Sequence, residues 1–182
     1  MTERDDIDIL KDFGNPTLSD QAFKEIIKKY QVRLYWHIRK IVIDHDDTND
    51  ILQNSFIKIW KGLPSFQGDS KLYTWLYRIA TNESLTFLKQ KKRRLFSPID
   101  EVNQEISSKL ESDPYFDGDK AQLKLQQAIL LLPDKQRLVF NMRYFDEISY
   151  DEMSAILDTS AGALKASYHH AVKKIEEFLK RD

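Results

Sequence analysis

The chain of 182 residues is 41% hydrophobic and 31% charged, which is enough apolar material for a folded core and argues against wholesale disorder. It has no cysteine, so a disulfide scaffold, a cysteine-ligated zinc and a cysteine nucleophile are excluded. The formal net charge is −1, no run approaches the ~18 apolar residues of a membrane span, and the acidic N-terminus lacks the apolar stretch of a secretory signal. We therefore expect a cytoplasmic protein without membrane insertion.

The first half of the chain is predicted to form three helices. Apolar residues recur at three- and four-residue steps, which indicates a helix near residues 20–43. A second helix, capped by Asp46 or Thr48, is expected to end near Gly62. After a loop, the period indicates a long third helix over about residues 70–93.

Charge is unevenly distributed along the chain. Residues 21–94 carry 15 Lys and Arg against 7 Asp and Glu, a net +8, whereas residues 1–20 carry −4 and residues 95–120 carry −5. Such asymmetry favours a polyanionic partner for the basic block. Mutual solvation of the basic and acidic segments is the alternative.

The second half begins with a segment that lacks helical periodicity, which we interpret as an acidic linker. The 3.6-residue period returns at Asp119 and predicts helices up to Leu132 and over residues 133–145, 149–157 and 161–179. The predicted fold is all-α, with two small helical domains joined by the acidic linker. The domains span residues 1–94 and 121–182 and the linker residues 95–120. Whether the domains pack against each other is left open.

The last two helices have the pattern of a helix-turn-helix. Ser149 followed by Glu152 is a capping box that opens the first helix, and Asp158 stands in the turn where glycine is usual. The second helix of such a motif enters the major groove of DNA, and its first turns meet base edges. Taken alone, an ordinary helical hairpin is an equally good interpretation.

The long helix of the first domain combines aromatic rings with cations. It ends in the basic run Lys89–Arg94. Aromatic rings stack on unpaired bases, which contributes ~1–3 kcal/mol of binding free energy per base, and cations bind the phosphates. The combination therefore favours single-stranded nucleic acid as the ligand. For any one ring, ordinary packing is the stronger interpretation, and the helix dipole also favours a basic end. The rings and cations near the start of this helix are Phe66, Lys71, Tyr73, Trp75, Tyr77 and Arg78.

The helix over residues 47–60 carries few cations although it neighbours a basic helix. Its polar side shows Asp47, Asp50, Gln53 and Asn54, which is typical of a protein-docking face rather than a DNA-binding face. An ordinary solvated helix is the alternative.

Catalysis receives little support from the sequence. HExxH, GxxxxGK[ST] and GxGxxG motifs are absent. His169 and His170 are adjacent and point about 100° apart on a helix, so they are poor joint metal ligands. Asp46, Asp47 and Asp50 suit a hard cation, but surface carboxylates on a helix usually bind none. We therefore predict no enzyme activity, no metal and no cofactor.

These motifs together resemble an extracytoplasmic-function (ECF, group IV) sigma factor of the sigma-70 family. Residues 47–60 fit the core-polymerase-binding pattern D-x-x-D-x-x-Q-x-x-F-x-x-[IV]-W. Residues 74–82 (TWLYRIATN) resemble the T-W-L-x-R-I-A-x-N run of region 2, which in the family engages the melted minus-10 element. Residues 132–157 fall on the pattern of region 4, whose helix-turn-helix reads the minus-35 element.

The resemblance implies a promoter-specificity subunit with no chemistry of its own. Its partners would be core RNA polymerase, through the beta and beta-prime subunits, promoter DNA and an anti-sigma factor, and the free chain would be a monomer. Core polymerase binding is assigned to Asp47, Asp50, Gln53, Asn54, Phe56 and Trp60. Minus-10 binding is assigned to Phe66, Lys71, Tyr73, Trp75, Tyr77, Arg78, Asn82, Lys89, Lys92 and Arg93. Minus-35 binding is assigned to Ser160, Gly162, Ala163, Lys165, Ala166, His169, His170 and Lys173.

The chain departs from the family pattern at several of these positions. Thr86 stands where Asp is frequent, and residues 89–92 are mostly lysine where arginine is usual. In region 4, two arginines of T-V-K-S-R-x-x-R-A are replaced by Ser167 and His170. We therefore expect fewer phosphate contacts than the family pattern implies, and recognition of a different minus-35 sequence.

Three other interpretations compete with this one. A stand-alone helix-turn-helix regulator would need a sensor or dimerisation domain, and residues 21–94 show no pocket signature. A helical enzyme or metal protein would use the acidic and histidine positions. A structural interaction module would not support transcription from any promoter.

Overall fold

The computed structural model describes residues 4–95 and 120–180, with side chains described for residues 4–91 and 121–180. Apart from its two end residues, the predicted linker of residues 95–120 lies outside this part. Within it the chain forms helices and no strand, so the predicted all-α fold is confirmed. The helices are α1 (Asp6–Phe13), α2 (Ser19–Val42), α3 (His45–Gly62), α4 (Leu72–Leu95), α5 (Lys120–Leu130), α6 (Asp134–Tyr144), α7 (Tyr150–Leu157) and α8 (Ala161–Leu179), with a 3-10 turn at Leu63–Ser65.

Helices α2, α3 and α4 form a bundle against which α1 packs. Each helix turns a stripe of apolar residues inward, and most of the stability of such helices comes from burying these stripes. The three helices predicted for the first half of the chain are confirmed. The fully buried core of this bundle includes Ile26, Leu34, Ile38, Ile59 and Leu76.

Helix α1 was not predicted, because its eight residues offer little more than two turns of periodicity. Asp5 caps the helix by accepting a hydrogen bond from the backbone N–H of Ile7, and Ile9 is buried. Arg4 forms ion pairs with Asp12 at 2.7 Å and with Glu25 of α2 at 3.1 Å. These contacts, together with burial of Ile9, hold α1 on the bundle.

The start of α3 corrects the prediction of Asp46 or Thr48 as its cap. The cap is Asp44, whose carboxylate accepts hydrogen bonds from the backbone N–H groups of Asp46 and Asp47. Thr48 lies buried in the first turn, and its hydroxyl donates to the Asp44 carbonyl oxygen at 2.6 Å. Ile43, with a φ of 68°, ends α2 and turns the chain into this cap.

The second domain contains the predicted helix-turn-helix. The capping box of Ser149 and Glu152 is formed at the start of α7, and Asp158 adopts the left-handed conformation that glycine usually supplies, with φ 50° and ψ 49°. Ser160 caps α8 by accepting a hydrogen bond from the backbone N–H of Ala163 at 3.3 Å. Both sequence features, the box and the turn, are confirmed.

The two domains pack directly against each other. Helix α4 contacts α7, and α2 contacts α6. A smaller apolar cluster joins α5, α6 and α8 around Phe140 and Ala171. The main core is continuous across both domains, and the second domain contributes Leu138, Val139, Met142, Ile148, Met153, Ile156 and Leu164 to it.

Candidate protein-binding and nucleic-acid interfaces

The polar side of α3 is accessible, as a docking face requires. Asp50, Gln53 and Asn54 are exposed. Ile57, which is not in the predicted set, is 47% exposed and lies on the same face, because it follows Asn54 by three residues and Asp50 by seven. Ile57 is a further candidate for the docking face, because it is an exposed, branched apolar residue among polar ones.

Three members of the predicted polymerase-binding set make contacts within the chain. Phe56 is only 9% exposed and packs edge-on against Phe23 with 6.3 Å between ring centroids, so it supports the α3 face from beneath and offers little surface to a partner. Trp60 is 37% exposed, and its ring meets Phe13 at 5.3 Å and Phe23 at 4.9 Å. Asp47 is half-buried because its carboxylate accepts from Lys91 Nζ at 2.6 Å.

A second surface is formed by α4 and the loop before it. Phe66 and Trp75 lie 5.1 Å apart by ring centroid, both half-buried. Gly62 permits this arrangement, because a Cβ at that position would come within 3.0 Å of the Trp75 ring. Arg78 and Asn82 are exposed at helical steps from Trp75, so one accessible stripe carries a ring, a cation and an amide. Lys89 is exposed further along α4, while the side chains of Lys92 and Arg93 lie outside the described residues.

The remaining members of the predicted minus-10 set face the second domain. Tyr77 is buried, Tyr73 is half-buried, and the two rings are 5.4 Å apart. Lys71 Nζ forms an ion pair with Glu152 Oε1 at 3.1 Å. Burial and then the carboxylate of Glu152 raise the pKa of the Tyr73 hydroxyl, and burial and then Asp146 raise that of Tyr77.

Asp146, in the turn between α6 and α7, makes further polar contacts between the domains. Its carboxylate is 3.0 Å from His37 Nδ1 and pairs with Lys40. His37 is 1% exposed, and its Nε2 lies 2.8 Å from the Thr81 hydroxyl. Burial opposes ionisation of Asp146, but the hydrogen bond with His37 and the Lys40 ammonium outweigh it, so the pKa of Asp146 lies below its ordinary value of 3.8.

We refer to Asp146 and Glu152, with His37, Lys40 and Lys71 opposite them, as the interdomain polar cluster. Of these five residues, only Lys71 belongs to an interface predicted from the sequence. His37 lies on the buried stripe of α2, one residue before Ile38. The only feature of the sequence that points to His37 is that it is a lone histidine in an apolar stripe. Asp146 has no such signal, since its partners are about a hundred positions away in the chain.

The predicted recognition helix α8 presents its first turns to solvent. Lys165 Nζ is held 5.7 Å from the centre of the Tyr150 ring, and Arg143 lies 5.2 Å from the same ring. Ser160 has a structural role as the cap of α8 and remains exposed. All eight residues of the predicted minus-35 set are exposed: Ser160, Gly162, Ala163, Lys165, Ala166, His169, His170 and Lys173.

The part of the chain that the structure describes contains neither a metal site nor a membrane-spanning helix. Among these residues, no group of three or more His, Asp or Glu side chains is placed to hold a metal ion. No described helix is long and apolar enough to cross a membrane.

Comparison with known proteins gives consistent matches over both domains. The family models for sigma-70 region 2 and sigma-70 region 4 match residues 26–94 and 122–175. The chain is 31% identical over 164 residues to the ECF RNA polymerase sigma-E factor of Salmonella typhimurium, in an alignment covering 86% of this chain and 85% of that protein.

Two solved structures share the fold. CnrH in complex with the cytosolic domain of CnrY aligns with a TM-score of 0.70 at 20% identity, covering 97% of each chain. The sigma factor RpoE in complex with the anti-sigma factor NepR, from Bartonella quintana, aligns with a TM-score of 0.67 at 22% identity, covering 88% of this chain and 98% of that one. The chain belongs to the ECF sigma factors of the sigma-70 family, which direct RNA polymerase to promoters.

Proposed function

We propose that the chain acts in the cytoplasm as a monomeric specificity subunit that performs no chemistry of its own. Residues 1–94 would bind core polymerase and open the promoter, residues 121–182 would read the minus-35 element, and residues 95–120 would connect them. The polymerase would perform the nucleotidyl transfer. Tethering two separate promoter contacts in one chain raises the effective concentration of the second contact once the first has formed.

The observation that carries this proposal is the accessible stripe on α4. A half-buried Trp75, seated against Phe66, is followed at helical steps by exposed Arg78 and Asn82. A ring that is already held in place loses little freedom when a base stacks on it, and a neighbouring cation meets the phosphate. This arrangement suits the extruded bases of an opened minus-10 element.

The α3 face supports docking on a protein. It presents Asp50, Gln53, Asn54 and Ile57 to solvent, and Trp60 at its end is anchored by the aromatic rings below it. Partly exposed aromatic residues in rigid surroundings are typical anchors of protein interfaces. We assign this face to core polymerase and its beta-prime and beta subunits.

The α8 surface supports duplex reading with few phosphate contacts. Within the predicted minus-35 set only Lys165 and Lys173 are cations, next to the small residues Gly162, Ala163 and Ala166. Small side chains permit close approach to base edges. A surface with few cations neutralises few phosphates and therefore releases few counterions from the DNA when it binds. We therefore assign minus-35 recognition to α8, with a weak dependence on salt.

An anti-sigma factor is the partner suggested by a structural neighbour. The RpoE structure contains the anti-sigma factor NepR, and its fold matches this chain over both domains. We propose that a protein of this class binds the chain and withholds it from polymerase.

Run-off transcription with purified core polymerase tests the proposal. Start sites mapped after overexpression supply the templates, and we expect specific initiation only when the chain is added. Gln53→Ala should reduce co-purification with core polymerase, whereas Gln31→Ala, the same change at an exposed position of α2, should not. No initiation from any mapped site, or no association with polymerase, would contradict the proposed function.

A further inference from the structure

The outward face of α8 carries two adjacent histidines. His169 and His170 are both exposed and point away from the buried stripe of Leu164, Ala171 and Ile175. Their ring centroids are 6.1 Å apart, so the two imidazoles belong to one surface patch. Neither imidazole makes a hydrogen bond or an ion pair with another residue in the described part of the chain. Both imidazoles are therefore available to a ligand that approaches this face.

Lysines flank the histidine pair on the same helix. Lys165 lies one turn before His169 and Lys173 one turn after it, and all three side chains are exposed. A positively charged imidazole beside two ammonium groups is disfavoured in the free chain, and it becomes favourable when a polyanion neutralises the surface. The other charged residues of α8 within about two turns of the pair are Lys174, Glu176 and Glu177.

The helices packed against α8 place no partner on the histidine pair. Helix α8 contacts α5, α6 and α7 with its buried stripe. Asp134 and Arg137 pair with each other, and Glu152 pairs with Lys71. The charge of the two imidazoles is therefore governed by the charged residues of α8 and by a ligand on its outward face. The charged residues of the three neighbouring helices whose side chains are described are Lys124, Asp134, Lys135, Arg137, Arg143, Asp151 and Glu152.

Protonation changes what a histidine offers to DNA. A neutral imidazole has one N–H donor and one acceptor nitrogen, whereas an imidazolium has two donors and a positive charge. Histidine changes between these forms in the range of about pH 5 to 8. Phosphate oxygens and the N7 and O6 acceptors of guanine attract the charged form. Because Lys165 and Lys173 are the only permanent cations of the predicted minus-35 set, protonation of both histidines doubles the positive charge of that set.

We propose that His169 and His170 make minus-35 recognition depend on protons, because only their protonated side chains bind the phosphates and guanine edges of the duplex. The inference rests on the proposed function, which assigns α8 to the minus-35 element. Binding of the duplex takes up protons, so the affinity is highest in mild acid and falls as the pH rises through the range in which the imidazoles lose their protons. His170, which replaces an arginine of the family pattern, thus exchanges a permanent cation for one that the pH controls.

The affinity of holoenzyme for a duplex that carries the minus-35 element and ends upstream of the minus-10 element tests the proposal. Fluorescence anisotropy measures this affinity between about pH 6 and pH 8 at constant ionic strength. Each variant is compared with wild type at the same pH, which removes the pH dependence of the polymerase itself. We expect wild type to bind at least about five times more tightly at the lower pH, since a pKa that rises by one unit on binding changes the affinity by up to tenfold.

Two double variants separate the charge of the histidines from a structural role. His169→Gln with His170→Gln is never charged, so it should bind weakly and lose the advantage at low pH. His169→Arg with His170→Arg is always charged and should bind more tightly than wild type at high pH, also without the wild-type pH dependence. His45→Gln removes a histidine of the first domain and should retain that dependence. A purely structural role of the pair would lower the affinity by the same factor at every pH.

The dependence of the affinity on salt gives a second readout. The slope of log affinity against log salt should be steeper for wild type at low pH than at high pH, by ~0.9 for each phosphate that a histidine neutralises. The glutamine variant should show the same slope at both. The same pH dependence and the same slopes in wild type and the glutamine variant would overturn the inference. Failure of wild-type holoenzyme to recognise the minus-35 element at every pH would instead overturn the proposed function.

Discussion

Lys91 Nζ lies 2.6 Å from the Asp47 carboxylate, and this ion pair joins the first turn of α3 to the basic end of α4. The two residues belong to surfaces assigned to different partners, polymerase for Asp47 and DNA for the basic run. Asp47 therefore has a positioning role within the chain as well as a place on the α3 face.

A double-mutant cycle with Asp47→Asn and Lys91→Met measures this positioning role. Both side chains are partly exposed, so we expect a coupling energy of about 0.5 kcal/mol in chemical denaturation. We also expect Lys91→Met to weaken co-purification with polymerase in the same direction as Asp47→Asn. If Asp47 contacts polymerase independently of Lys91, only the Asp47 variant will lose binding and the coupling energy will be zero.

Trp60 and Gln53 should respond differently to removal. Trp60→Ala takes away a ring packed on Phe13 and Phe23, so we expect it to lower the free energy of unfolding by about 2 kcal/mol, less than the ~3–5 kcal/mol of a fully buried ring, and also to weaken polymerase binding. Gln53→Ala at an exposed position should weaken binding with less than about 0.5 kcal/mol change in stability. Equal destabilisation by the two variants would contradict this division.

The contact of Asp146 predicts that the domains separate in acid. The pKa of Asp146 in the docked state lies below its ordinary value of 3.8. Its contribution to docking is therefore fully present above pH 3.8 and is lost as the pH falls through the lowered pKa. A full-length chain that carries a donor and an acceptor dye at Asp20→Cys on α2 and Lys174→Cys on α8, both exposed positions, should lose energy transfer in this range.

The groups facing Asp146 are His37 and Lys40 from α2 and Tyr77 from α4. Tyr77 stays neutral in acid, because burial raises the pKa of its hydroxyl. The Asp146→Asn variant retains all three groups, so comparison with wild type isolates the contribution of the Asp146 carboxylate. A transition of the same size in Asp146→Asn as in wild type would show that another group is responsible.

Asp158 offers a test of local backbone strain in the helix-turn-helix. Its φ of 50° is one that glycine adopts without penalty, so Asp158→Gly should raise the free energy of unfolding by roughly 0.5–1 kcal/mol. Asp158→Ala should lower it, because alanine lacks the local hydrogen bonding that lets Asp tolerate this conformation. Thermal unfolding checks both. A stabilising alanine would mean that this turn is not strained.

The elements predicted best were those whose evidence is local. The capping box of Ser149 and Glu152 and the left-handed turn at Asp158 depend on residues a few positions apart, and both are formed as predicted. The prediction placed the cap of α3 two or more residues late, because Asp44, Asp46 and Thr48 are all suitable cap residues and the preceding turn at Ile43 decides between them.

The surfaces were predicted less completely because burial depends on contacts between distant segments. Phe56 fits a binding motif by spacing, yet it is buried against Phe23. Tyr73 and Tyr77 fit an aromatic patch, yet α7 covers their side of α4. Domain docking through Asp146 could not be derived from periodicity, which reports on one helix at a time.

The most direct test of the central claim follows promoter opening by holoenzyme containing Trp75→Ala. Stacking worth ~1–3 kcal/mol per base should be lost only when the strands separate. We predict closed-complex affinity within about twofold of wild type, and permanganate reactivity of the minus-10 thymines that appears at least about five times more slowly. Trp36→Ala, which removes an exposed indole on α2, should behave as wild type. Equal loss in both steps, or normal opening without the Trp75 ring, would contradict the account.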